Sequence, residues 1–256
     1  MPERGAGADV AITRRDDLVR DQLAHLPYGS RATAAPPVRV GATGTGESLL
    51  VLAWTADELA RERAAGAAML AALGVAPGMR VANALPGALA TPGSLLLGDV
   101  VEELGALDVP LGHVDGDAAA RAAWELFDRV QADVLVVDAP SAPRLFAAAP
   151  AAPRPWWRGV VWLAVAPATP APVPVPDFGG WQRTWVAVPE VTSFFAHSCA
   201  EGAFHAGAHV AAEVVDGEAV VATPGAGRVR RYATGLRARL RPSCACGAGG
   251  VALEVG

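Results

Sequence analysis

The chain has 256 residues, 52% of them apolar, and a formal charge of −5, so it can bury a sizeable core and lacks the basic excess of a nucleic-acid binder. No run is long enough to span a membrane, and Met1 to Gly5 lack the basic-then-apolar pattern of a signal peptide, so a cytoplasmic protein is expected. Lysine is absent and all 21 basic residues are arginine, which excludes Schiff-base or amine-nucleophile chemistry by a side chain.

The first predicted element is a short helix with a polar start over residues 13–25. Val38 to Val40 predict a strand entering the glycine-rich turn Gly41-Ala42-Thr43-Gly44-Thr45-Gly46, and Leu49 to Trp54 a second strand. Thr55 and Glu58, three apart, form a capping box that opens an alanine-rich helix to Leu73, ended by Gly74. Strands and helices then alternate: strand 80–85, helix 94–104, strand 107–110, helix 118–130, strand 134–137 and strand 160–165. That alternation predicts a doubly wound α/β sheet with helices on its faces. Pro167 to Pro176 predict an extended, exposed connector. Beyond it, short strands at 210–215, 219–222, 229–233, 236–240 and 251–255, with turns at Asp216-Gly217 and Pro224-Gly225, predict a smaller β-rich unit. The expected division is an α/β core over 1–170 and a β-rich unit over 171–256.

Within the second segment, Cys199-x5-His205 and Cys244-x-Cys246 supply three thiols and one imidazole, the donor set that structural zinc takes in tetrahedral geometry. Three unrelated buried thiols are the alternative, and a Cys244–Cys246 disulfide would be strained. His197 and His209 flank the set, and either could replace His205 or stand behind it.

The order of motifs resembles the phenylacetate-CoA ligase and coenzyme F390 synthetase-like branch of the adenylate-forming enzymes. Ile12-Thr13-Arg14-Arg15-Asp16-Asp17-Leu18 resembles the family's lead-in to its nucleotide loop, and Gly41 to Ser48 falls where that loop belongs. Trp54-Thr55-Ala56-Asp57-Glu58-Leu59 is similar to the start of the following helix, and Glu103-Leu104-Gly105-Ala106 and Asp133 to Pro140 resemble later segments. Phe204-His205, Glu213 to Asp216, Gly217 to Thr223, Arg230 to Gly235 and Cys244-Ala245-Cys246-Gly247 continue the likeness to the cysteine knuckle. The resemblance implies an adenylate-forming N-terminal-domain fold, and the chain stops before the family's mobile C-terminal domain.

The departures are systematic. Glu47 stands where the loop lysine belongs and would repel ATP phosphates, and Leu236 replaces the ribose-binding aspartate. The adenine- and magnesium-contacting segment is reduced to Trp185 … Glu190. ATP and AMP are therefore not expected as cofactors, and zinc is. The expected function is ATP-independent action on a carboxyl-derived substrate (acyl, aminoacyl or thioester) by condensation, cyclisation or hydrolysis, with Glu190, His197, Glu201 and His209 as candidate catalytic groups. The alternative is a non-catalytic relative that binds or regulates a partner ligase or carrier protein. A homodimer is expected, with no nucleic-acid or membrane partner. The arginines at 228, 230, 231, 237, 239 and 241 read as a solvated strand face, or else as a phosphate contact.

Overall fold

The computed structural model describes residues 11–31, 35–86, 92–168, 175, 179–222, 229–248 and 251–256. Most of the connector read over Pro167 to Pro176, the turn at Pro224-Gly225 and Arg228 lie outside them.

The chain begins with α1 (Arg15–Ala24), then a hairpin of β1 (Arg39–Thr43) and β2 (Leu50–Trp54) around a single 3-10 turn at Gly46–Ser48. Next come α2 (Ala56–Leu73), β3 (Arg80–Asn83), α3 (Pro92–Glu103), β4 (Leu107–Pro110), α4 (Asp117–Val130), β5 (Val134–Asp138), α5 (Ala142–Ala147) and β6 (Gly159–Val165). Seven further strands follow: β7 (Trp181–Val188), β8 (Thr192–Ser198), β9 (Phe204–Ala206), β10 (Ala211–Val215), β11 (Glu218–Ala222), β12 (Arg231–Arg241) and β13 (Ala252–Val255). Among the described residues none of the helices is long and apolar enough to cross a membrane.

The caps of α2 are those the sequence predicts. Thr55 Oγ1 accepts from the Glu58 N–H (3.3 Å), Glu58 Oε2 accepts from the Thr55 N–H (2.8 Å), and Gly74 closes the helix in the left-handed region at φ 102°. Where α2 crosses toward α3, a Cβ at Gly66 would lie 2.6 Å from Val100 and 2.8 Å from Phe194, so only glycine permits the approach.

Eleven strands join in one mixed sheet among the described residues, in the order β10-β11-β12-β13-β9-β8-β7-β6-β5-β3-β4. The neighbours from β4 to β7 are parallel and those from β7 to β10 antiparallel. Strands from 1–170 and 171–256 meet in this sheet through seven parallel register pairs between β6 and β7, from Gly159↔Trp181 to Val165↔Ala187.

The central parallel strands β5 and β6 are buried on both faces, so their sequences are nearly continuous apolar runs with the two cores read from alternate positions. Val134, Val136, Val161 and Leu163 join the core under α2 and α3, with Trp185 and Phe194. Leu135, Val137, Val160 and Trp162 join the core under α4 and α5, with Trp124 and Phe127.

Three local readings are corrected. The strands β7 to β9 were not predicted, and neither was α5. The two strands predicted at 229–233 and 236–240 are one long strand, β12. Gly235, at φ 77°, sits where the register with β11 slips between Glu218 and Val220, so it marks a bulge within one continuous strand. Across that region Arg237 stands opposite Glu218, and Arg239 opposite Glu254, which pairs part of the arginine face with acids.

A candidate metal centre beside a polar cavity

Cys199 follows β8, His205 lies on β9, and Cys244 and Cys246 occupy the turn between β12 and β13. One ligand atom from each lies within 4.8 Å of all the others. Cys199 Sγ is 3.5 Å from Cys244 Sγ, and Cys246 Sγ is 3.2 Å from His205 Nε2. A disulfide needs about 2.05 Å, whereas two thiolates on one tetrahedral zinc stand roughly 3.8 Å apart. The cysteines are free, and His205 is 1% exposed. Nε2 faces the Cys246 thiol, and Nδ1 is buried without a hydrogen-bond partner among the described residues. An imidazole nitrogen and three thiol sulfurs gathered this closely fit a metal ion.

The cluster also has a structural position. β9 and β13 are joined by only two register pairs, Ala252↔His205 and Leu253↔Phe204, the narrowest seam on that side of the sheet. A metal held by these four residues would fasten the turn after β8 to the turn before β13, across that seam.

His197 stands directly opposite His205 across β8 and β9, with ring centroids 5.9 Å apart. Burial, and then the neighbouring His205, lower its pKa to about 4, so it is neutral at pH 7. Glu201 is exposed in the β8–β9 turn, where its carbonyl accepts from Arg241 Nη1 (3.3 Å). These two candidates thus lie on the metal side of the fold.

Glu190 and His209 lie together on another feature, a cavity of about 390 Å³. Leu18 of α1, Leu50, Leu52 and Trp54 of β2, and Val191 and Val210 give it apolar walls. Gln22 fixes α1 to β2 there by two reciprocal 2.8 Å hydrogen bonds with the Val51 backbone. Arg61 and Glu62 on α2, and Thr192 at the start of β8, supply polar groups.

The carboxylate of Glu190 is nearly buried and forms an ion pair with Arg15 Nη1. Burial raises its pKa, against the opposing pull of Arg15 and of the Tyr232 hydroxyl that it also meets. Arg15 is the residue that sequence reasoning missed. Its Nη2 donates to the carbonyls of Thr43 (2.8 Å) and Ser48 (2.7 Å), so one guanidinium ties the glycine-rich turn to Glu190. A Cβ at Gly44 would lie 2.4 Å from that Nη2, so the bare backbone of the loop is what admits the arginine. Arg15 is aimed there because the segment before α1 runs beside β12: the Thr13 N–H donates to Arg231 O (2.9 Å), and the Ala233 N–H to Thr13 O (3.0 Å). The only sign in the sequence was the paired Arg14-Arg15 ahead of the loop.

No protein-family model and no curated protein matches the chain. Solved structures do. A 2-hydroxyisobutyryl-CoA ligase in complex with 2-HIB-AMP and CoA superposes with TM-score 0.79 at 16% identity, over 95% of this chain and 56% of that one. The N-terminal domain of FACL13 from Mycobacterium tuberculosis gives TM-score 0.60 at 14% identity, over 94% and 66%. Wild-type E. coli MenE gives 0.56 at 13%, over 89% and 50%.

The fold is that of the N-terminal domain of the adenylate-forming enzymes. The chain spans a little over half the length of the ligases that it matches first. On this adenylate-forming fold, the loop predicted to face nucleotide carries the exposed Glu47. Leu236, 1% exposed, belongs to the apolar core at the position read as the aspartate's.

Proposed function

We propose that this chain is a degenerate relative of the AMP-forming acyl-CoA ligases, of the phenylacetate-CoA ligase-like branch, that works without nucleotide. It takes a small carboxyl-derived ligand, such as an acyl, aminoacyl or carrier-bound thioester, into the 390 Å³ cavity and promotes its condensation, cyclisation or hydrolysis. The observation that carries the reading is Arg15. A guanidinium that engages Glu190, Thr43 O and Ser48 O occupies the loop with the protein's own cation, while the cavity beside it stays open. The neighbouring ligases are named for CoA thioesters or hold acyl-adenylates and their analogues. An activated carboxyl compound is therefore the ligand class that this fold favours.

The metal proposed for Cys199, His205, Cys244 and Cys246 is zinc, which these soft donors select. Four protein ligands leave no open position, so zinc supplies rigidity to the sheet and not a Lewis acid. Chemistry falls to the cavity. His209 is solvent-reached at its edge, and desolvation lowers its pKa, which favours the neutral imidazole, the form that a general base needs.

The test is thioester cleavage without ATP. With S-benzoyl-N-acetylcysteamine as probe, the full chain is expected to release thiol faster than buffer, and His209→Asn to lose about 10²-fold of that rate. Release no faster than buffer, or release that needs ATP and magnesium, would overturn the reading. The first result, joined to a tight complex with a ligase, would point to the non-catalytic alternative.

A further inference from the structure

Glu62 belongs to no motif, yet it is the most unusual residue of the cavity wall. Its position on α2 falls within the apolar stripe of Leu59, Gly66, Met69, Leu70 and Leu73, where a carboxylate is costly unless it is satisfied. The carboxyl is held at one oxygen by the Ser193 N–H (2.8 Å) and faces the Thr192 hydroxyl. Thr192 Oγ1 in turn lies 3.2 Å from His209 Nε2 and accepts the Phe194 N–H (3.1 Å). The ring of His209 keeps this orientation because residue 207 is glycine: a Cβ there would lie 2.6 Å from its Cε1.

We infer that Glu62, Thr192 and His209 form a proton relay along the wall of the cavity, with His209 meeting the ligand and Glu62 as the buried proton acceptor behind it. The inference rests on the proposed acid–base action in this cavity. The transfer balances within the chain. His209 takes a proton from the ligand at Nδ1 and releases the one on Nε2 to Thr192 Oγ1. Thr192 passes its own hydroxyl proton to the Glu62 carboxylate. The ring ends neutral in its other tautomer, and Glu62 ends as the neutral acid. Burial raises the pKa of Glu62 and desolvation lowers that of His209, so the two proton affinities are brought toward each other, as proton transfer between them requires.

The other charged groups around the cavity are committed elsewhere or lie on its far side. Asp21 of α1 accepts from Ser30 N (3.0 Å) and Ser30 Oγ (2.6 Å), and Glu58 of α2 caps the Thr55 N–H. Glu190 pairs with Arg15, and Arg31 donates to Thr13 Oγ1 (3.3 Å). Arg61 lines the cavity beside Glu62, and Glu58 adds to the upward shift of Glu62.

The experiment is an NMR pH titration of the His209 ring in the full chain, in wild type and in Glu62→Gln, Thr192→Val and Thr192→Ser. Glu62→Gln removes the carboxylate that favours a charged ring, so the His209 midpoint is expected to fall by about half a pH unit or more. Thr192→Val should abolish that response to Glu62→Gln, and Thr192→Ser should retain it. A His209 midpoint indifferent to Glu62→Gln in a folded variant overturns the relay and leaves a purely structural tie to the start of β8. If Glu62→Gln does not fold, the wild-type Glu62 carboxyl carbon decides: titration coincident with His209 supports the relay, and independent titration contradicts it. None of these outcomes depends on ATP or on thioester cleavage, so the relay and the proposed reaction fail separately.

Discussion

Cys246→Ser is expected to abolish the proposed zinc binding and lower the unfolding stability of the full chain by about 4 kcal/mol, the linkage contribution of a ligand present at roughly a thousand times its dissociation constant. For a chain of this size that is roughly a 10 °C fall in melting temperature. The size of the effect follows from where the cluster sits. β13 has four residues and meets β9 through only two register pairs, while Cys199 and His205 on one side and Cys244 and Cys246 on the other would be drawn together by the ion. Removing one donor leaves three, and the seam between β9 and β13 loses its fastening. Hydrogen exchange should therefore accelerate first in β13 and β9, while β5 and β6, buried on both faces, keep their protection. Elemental analysis that finds one zinc per wild-type chain and none in the variant would bear this out. A wild type free of metal, or a variant with unchanged melting, would contradict it.

Arg15→Ala is expected to cost about 3 kcal/mol, at the low end for breaking a buried ion pair because the guanidinium is about a quarter exposed. The variant leaves the Glu190 carboxylate buried without its counter-charge, and it also orphans the carbonyls of Thr43 and Ser48. The pH dependence has a definite sign. The folded-state pKa of Glu190 is already raised by burial, and loss of Arg15 raises it further. A group with a raised folded pKa destabilises the fold as pH rises above its unfolded value. The deficit of the variant should thus be largest near neutrality, shrink as pH falls below the raised folded value, and be relieved once pH reaches the unfolded value of about 4.3. Arg15→Ala combined with Glu190→Gln should recover much of the loss, since the buried charge is then absent. Chemical denaturation of the four chains of this double-mutant cycle measures the coupling directly. Additive losses would show that the pair contributes nothing beyond its separate parts.

Much of the fold was legible in the sequence because its signals were local. Thr55, Glu58 and Gly74 mark both ends of α2 by their own chemistry, and the apolar runs at 134–137 and 160–165 are what strands covered on both faces must look like. β7 and β8 were missed although they hold Trp185 and Phe194, stacked at 4.9 Å in the main core. They follow a proline-rich stretch, and burial on both faces removes the period-two alternation that would have marked them. α5 was missed because six residues with a proline in the first turn carry almost no periodic signal. The segment was split into strands 229–233 and 236–240 because a glycine inside a strand is ambiguous until the register with the neighbouring strand is known.

The candidate site divides in the same way. The four metal-binding candidates could be chosen from donor chemistry alone, and the fold brings them together. Beyond the paired Arg14-Arg15, the role of Arg15 was not legible because it depends on three partners far along the chain, at residues 43, 48 and 190. Glu62 did carry a signal, a charge within the apolar stripe of α2, and buried acids of that kind mark sites worth searching.

The proposed loss of nucleotide binding rests on Arg15, which ties Glu190 to the glycine-rich turn from within the chain, and on Glu47 exposed in that turn. Isothermal titration of the full chain with magnesium–ATP tests it most directly. The expected result is no saturable heat at ligand concentrations up to about 1 mM, which leaves less than about 4.1 kcal/mol of binding free energy. One-to-one binding with a micromolar dissociation constant would contradict it.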